Sequence, residues 1–154
     1  AIYYLAYYDF GDGKIDKLVD FIDKFPESPF AMRAIFSIAK FYASQNNIAG
    51  ELGIYSKGIL LFPDNPSMLN SYAWRMTELE TNLEDALIKA EKAVILTKDD
   101  PSMQCNIIDT QAEVLYKLNR FDEAISVIEK AINIDPSNEY FLEQRAKFSQ
   151  KIQS

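Results

Sequence analysis

Histidine is absent from all 154 residues. Its absence removes Ser–His and Cys–His nucleophile systems and every histidine-based metal site. The single cysteine, Cys105, can form neither an intrachain disulfide nor a multi-thiolate zinc site. Five glycines, scattered along the chain, supply no phosphate-cradling loop. Gly11-Asp12-Gly13 lacks the preceding strand, the spacing and the lysine that such loops need. Together with only six prolines, so little glycine also excludes a flexible or low-complexity chain. No apolar run approaches the roughly 18–20 residues that span a membrane. The N-terminus has no basic stretch ahead of its apolar residues, so an intact signal peptide is not expected, and Ala1 is compatible with a processed start. No basic run exceeds two residues and the net charge is −7, which argues against nucleic acid or an anionic membrane as partner.

What is present is carboxylate, apolar residues and a period. The 23 acidic side chains offer acid/base pairs in principle. Pairs such as Glu84-Asp85 and Asp122-Glu123, however, fall in first turns of expected helices, where they complement the macrodipole. No cofactor, metal site or catalytic residue is expected. The apolar fraction of 48% suits a folded chain. Its residues recur at helical spacing and nowhere sustain a strict two-residue alternation.

Punctuation places helices at roughly 2–9, 14–25, 29–45, 48–61, 66–80, 83–97, 106–118, 121–134 and 138–151. Ser28-Pro29 and Asn65-Pro66 read as an N-cap followed by a first-turn proline. Asn106 to Asp109 reads as a capping box, which leaves Cys105 beside a loop. Ala86-x3-Ala90-x2-Ala93 returns as Ala124-x3-Ile128-x2-Ala131, and more weakly as Glu51-x3-Tyr55-x2-Gly58. Twelve residues ahead of each unit stand Ala39, Trp74 and Ala112. A period of 35 to 38 residues marks stacked units that cannot bury their apolar faces alone. Matched alanines let helix axes approach closely, so Ala124→Leu should overpack the contact. Trp74, at the offset of Ala112, is expected in the core.

Ile35-x2-Ile38-Ala39-x2-Tyr42 resembles the first helix of a tetratricopeptide repeat. Phe121-Asp122-Glu123-Ala124, continued by Ile128, Ala131 and Pro136, resembles the second. Trp74, Glu51 and Gln111 depart from the pattern. Asn82-Leu83-Glu84-Asp85-Ala86 after Tyr72-Ala73-Trp74 looks like a bacterial variant of it. The resemblance implies an all-α, right-handed superhelix of antiparallel helix pairs. It divides one domain, 1–154, into a degenerate repeat (1–28), repeats 29–65, 66–100 and 101–136, and a capping helix (137–154).

The resemblance further implies a protein or peptide partner in a concave groove lined by first helices: Arg33, Phe36, Ser37 and Lys40, then Ser71, Tyr72 and Arg75, then Asp109, Glu113 and Tyr116. Phe36 stands where the chaperone-binding version of the family places a lysine, so capture of a chaperone tail is not expected. The capping helix should turn Phe141, Leu142, Ala146 and Ile152 inward, and Glu139, Glu143, Lys147, Gln150 and Lys151 outward.

Residues 1–8 are apolar or aromatic all round, as in a helix covered on several sides. Tyr3, Tyr4, Tyr7 and Tyr8 are therefore an expected association surface for a further repeat, a preceding domain or a second copy of the chain. The alternative function is accordingly docking or self-association within a larger polypeptide. Repeat tails on bacterial extracytoplasmic thioredoxin-like proteins are similar.

Overall fold

The structure, a computed structural model, describes Tyr3 and residues 13–152. Among the described residues there are eight α-helices and no strand. They are α1 (Lys14–Lys24), α2 (Ala31–Ser44), α3 (Ile48–Leu61), α4 (Pro66–Leu79), α5 (Leu83–Leu96), α6 (Pro101–Lys117), α7 (Phe121–Ile134) and α8 (Glu139–Ile152). The expected helix at 2–9 lies, Tyr3 apart, outside the described residues. The chain divides after Pro63 into two compact units.

In the first unit α1 packs on α2, and α2 on α3. Gly13 opens α1 with φ +95°, a left-handed conformation that a residue without Cβ adopts at little cost. Leu18, Phe21 and Ile22 form the buried stripe of α1. Ala31, Ala34, Ile35, Ile38 and Ala39 form that of α2, at the i, i+3, i+4 spacing of an amphipathic helix. The start of α2 corrects the expectation for Ser28-Pro29. Ser28 accepts from Phe30 N–H through its hydroxyl (3.3 Å) and from Ala31 N–H through its carbonyl (2.9 Å). These bonds close a turn that holds Pro29 outside the helix. Asn47 caps α3 by accepting from Gly50 N–H at 3.0 Å. A Cβ on Gly50 would lie 2.8 Å from the Asn47 side chain and 3.0 Å from the Tyr42 ring, so that close approach requires glycine. Lys57 of α3 pairs with Asp23 of α1.

In the second unit α4 pairs with α5 and α6 with α7; α6 also packs on α4 and α5, and α8 packs on α7. Asn65 caps α4 by accepting from Met68 N–H at 3.0 Å, with Pro66 in the first turn. Asp100 caps α6 in the same way, accepting from Met103 N–H at 3.0 Å, with Pro101 following. The helix expected from 106 thus begins five residues earlier. Asn106 is no cap: its side-chain amide donates to the Ser102 carbonyl at 2.9 Å. Cys105 consequently lies inside a helix and is buried, not beside a loop. Ala86, Ala90, Ala93, Ala112, Ala124 and Ala131 are all fully buried, as tight packing of the repeated positions requires. Trp74 is half-buried.

Asn46, Asn82 and Asn119 each take positive φ (52°, 49° and 60°) in the turn that joins the two helices of a pair. Asparagine tolerates this region better than most residues with a side chain. The same device recurs at the repeat period. In α8 the buried residues are Phe141, Gln144 and Phe148, whereas Leu142, Ala146 and Ile152 are exposed. The expected inner face is therefore rotated: the two phenylalanines, the larger apolar side chains, set the phase.

Candidate partner-binding surface

On α2 the stripe Arg33, Phe36, Ser37, Lys40 occupies positions i, i+3, i+4 and i+7, turned away from Ala34, Ile35 and Ile38. Arg33 and Lys40 are exposed, and Phe36 and Ser37 half-buried. The Ser37 hydroxyl donates to the Arg33 carbonyl at 2.9 Å. Among the described residues neither cation has an ion-pair partner. Pro29, Phe30, Met32, Arg33 and Phe36 line a hollow of about 400 Å³ at the foot of this stripe. Phe30 is held there by stacking on Tyr3, with ring centroids 4.8 Å apart and planes within 9°. Tyr3 also meets Phe21 at 5.4 Å and is only 2% exposed. It is therefore an internal residue, because the α1–α2 aromatics enclose it; Tyr4, Tyr7 and Tyr8 of the expected association surface lie outside the described residues.

The second set divides into open and covered residues. Ser71 and Arg75 on α4 are half-exposed, and the Arg75 guanidinium donates to Glu78 at 2.9 Å. Tyr72 is buried; burial, and then its hydrogen bond to the Asp85 carboxylate, push its hydroxyl well above the usual tyrosine range. Burial acts to raise the Asp85 carboxyl, but hydrogen bonds from Lys89 and Tyr72 outweigh it and hold the group below its ordinary value. Tyr72 thus ties α4 to the first turn of α5.

Asp109 and Glu113 on α6 are buried, and Tyr116 is half-buried against Phe121 and Phe148. The cover comes from α8. Lys147 donates to Glu113 at 2.6 Å and to the Gln144 side-chain carbonyl at 3.2 Å, with its ammonium 4.7 Å from the Tyr116 ring centroid. Gln144 in turn donates to the Tyr140 hydroxyl at 2.7 Å. Burial, and then the neighbouring Glu113 charge, raise the Asp109 carboxyl to about 6.

Lys147, Gln144 and Tyr140 escaped the reading of the sequence, which placed Lys147 on an outer face. A signal was present. Asp23–Lys57, Glu80–Lys117 and Glu113–Lys147 each join an acid to a lysine 34 or 37 residues later, about one repeat on. Among the described residues no group of three or more His, Cys, Asp or Glu side chains could hold a metal ion, and no helix is long and apolar enough to cross a membrane.

The helix pair α6–α7, with buried Ala112, Ala124, Ile128 and Ala131, overlaps a stretch that matches a known family profile. Residues 107–138 match the tetratricopeptide repeat. That match, together with the all-helical fold, fits a tetratricopeptide-type repeat architecture. No curated protein matches the chain. The tetratricopeptide fold is generally an interaction scaffold without enzymatic activity, and its repeats generally bind proteins or peptides. Within the matched stretch Ala112, Ala124 and Ala131 are fully buried, while Asp109 and Glu113 lie in the joint to α8.

Proposed function

We propose that the domain is a non-catalytic protein-interaction module that receives an extended peptide or a partner helix on the α2 stripe. One observation carries the reading: two exposed cations without ion-pair partners, Arg33 and Lys40, flank Phe36 beside an apolar hollow. A ligand that fits would place one large apolar side chain against Phe30, Met32 and Phe36, with carboxylates reaching the two cations. On a chain of net charge −7, a local basic stripe attracts acidic segments to that place, and the rest of the surface repels them.

Selection from a displayed library of random peptides tests this. Acidic sequences with a single large apolar residue should be enriched. An Arg33→Glu, Lys40→Glu variant should bind the selected peptides at least about tenfold more weakly, since one reversed contact is worth on the order of 1.4 kcal/mol. Charge reversal at Lys130, on the exposed face of α7, should leave binding unchanged. Equal binding by the Arg33, Lys40 variant, or no acidic enrichment, would refute the proposal.

A further inference from the structure

The buried carboxyls between α6 and α8 have no part in the α2 surface. Asp109 and Glu113 stand one turn apart on α6, each 6% exposed. Above them α8 lays Tyr140, Gln144 and Lys147, at the i, i+4, i+7 spacing of one face. One ammonium serves two carboxyls, and it is committed to Glu113 at 2.6 Å. The Tyr140 hydroxyl acts on Asp109 as a hydrogen-bond partner. Asp109 Oδ1, however, is buried and has no hydrogen-bond partner among the described residues. An ionised carboxylate so placed lacks a bond it would have in water and faces a like charge across one helical turn. The neutral acid escapes the like-charge repulsion, and for it the missing bond costs much less.

We propose that Asp109 is a proton-operated clasp for the last helix: α8 docks firmly on α6 while Asp109 carries a proton and is released more readily once it ionises. The groups that act on Asp109 are Glu113 from its own helix and Tyr140, Gln144 and Lys147 from α8. On the other helices packed nearby, Arg75 is paired with Glu78, Lys89 with Asp85, and Arg120 with Glu123. The docked-state value of about 6 stands above the ordinary 3.8, toward which Asp109 falls when α8 lifts away and its burial is relieved, with Glu113 still one turn along the same helix. The docked state therefore binds the proton more tightly, and docking weakens as pH rises from the ordinary value through about 6, then levels off. Full return to the ordinary value, about two pKa units, sets an upper bound of about a hundredfold on the change in the docking equilibrium, of which about tenfold falls between pH 5 and pH 7.5. Release of α8 would uncover Asp109, Glu113 and Tyr116 together, an acidic surface hidden in the docked state.

Hydrogen exchange along α8, corrected for the intrinsic pH dependence of exchange, measures the opening. In the wild-type protein the α8 opening constant should rise about tenfold from pH 5 to pH 7.5, with no matching rise in α4 and α5. Asp109→Asn, a neutral side chain of the same shape, should keep α8 docked with no such rise. The carboxyl ¹³C shift of wild-type Asp109, followed against pH, should show a midpoint near 6; this reading stands even if the variant folds poorly. A midpoint at the ordinary aspartate value, or an equal pH dependence of α8 in Asp109→Asn, would overturn the clasp.

Discussion

Replacing Lys147 with methionine should cost more than replacing its partner Glu113 with glutamine, although each change removes the same ion pair. The asymmetry follows from burial: the Lys147 side chain is 40% exposed and that of Glu113 is 7%. In Lys147→Met the stem still lies across Tyr116 and Phe148, so apolar contact is retained while an unpaired carboxylate is left in the joint. Breaking a fully buried pair from one side costs about 3–5 kcal/mol. Solvent at the lysine end screens this one, which brings the expected loss to about 2 kcal/mol. A further loss of about 0.5–1 kcal/mol comes from the ammonium over the Tyr116 ring. In Glu113→Gln the stranded ammonium can turn to water, and the loss should stay near 1 kcal/mol. The double variant no longer strands the Glu113 charge and relieves its repulsion of Asp109, so it should be more stable than Lys147→Met alone. Urea unfolding of the four proteins completes the cycle, with a coupling energy on the order of 1–2 kcal/mol. If Lys147→Met proved no more costly than Glu113→Gln, the joint would be wetter than its burial implies and the reasoning would fail.

Ala124 is fully buried, and Ala124→Leu should overpack its helix contact and lower stability by about 1–3 kcal/mol, read from thermal unfolding. Asp100→Ala removes the cap of α6 and should cost about 1 kcal/mol, whereas Asn106→Ala, inside the helix, should cost less than half as much. Equal losses from the two would restore Asn106 as the start of the helix.

The helical class, the repeat and most boundaries were legible because they rest on local signals. The bounds of α3 and α7 coincide with the segments read from periodicity, and Asn65-Pro66 opens α4 as its residue types require. The start of α6 was missed although Asp100-Pro101 carries the same chemistry as Asn65-Pro66. A plausible capping pattern at Asn106 drew attention from it. The phase of α8 depended on tertiary packing: Phe141 and Leu142 compete for the interior, and only the fit of Phe148 beside Tyr116 decides between them. Asp109 and Glu113 misled for a related reason. Polar residues on a helix read as solvent-facing, and nothing local in their own segment shows that Lys147, 34 residues beyond Glu113, completes a buried pair. The α2 stripe needed no distant partner to be found. Arg33, Phe36, Ser37 and Lys40 follow from the phase of one helix whose opposite face is alanine and isoleucine.

In each of the lysine pairs spaced by a repeat, the carboxylate comes from the earlier helix or its C-cap and the ammonium from a later helix: Asp23 before Lys57, Glu80 before Lys117, Glu113 before Lys147. Such joints carry a direction, like links with a hook at one end and an eye at the other. A duplicated repeat inserted in the same sense would offer an acid to the segment after it and a lysine to the segment before it. A segment stacked in the reverse sense would bring acid against acid or lysine against lysine. Individually these contacts are weak, but their order favours growth of the array by tandem copying and disfavours inverted stacking of its units.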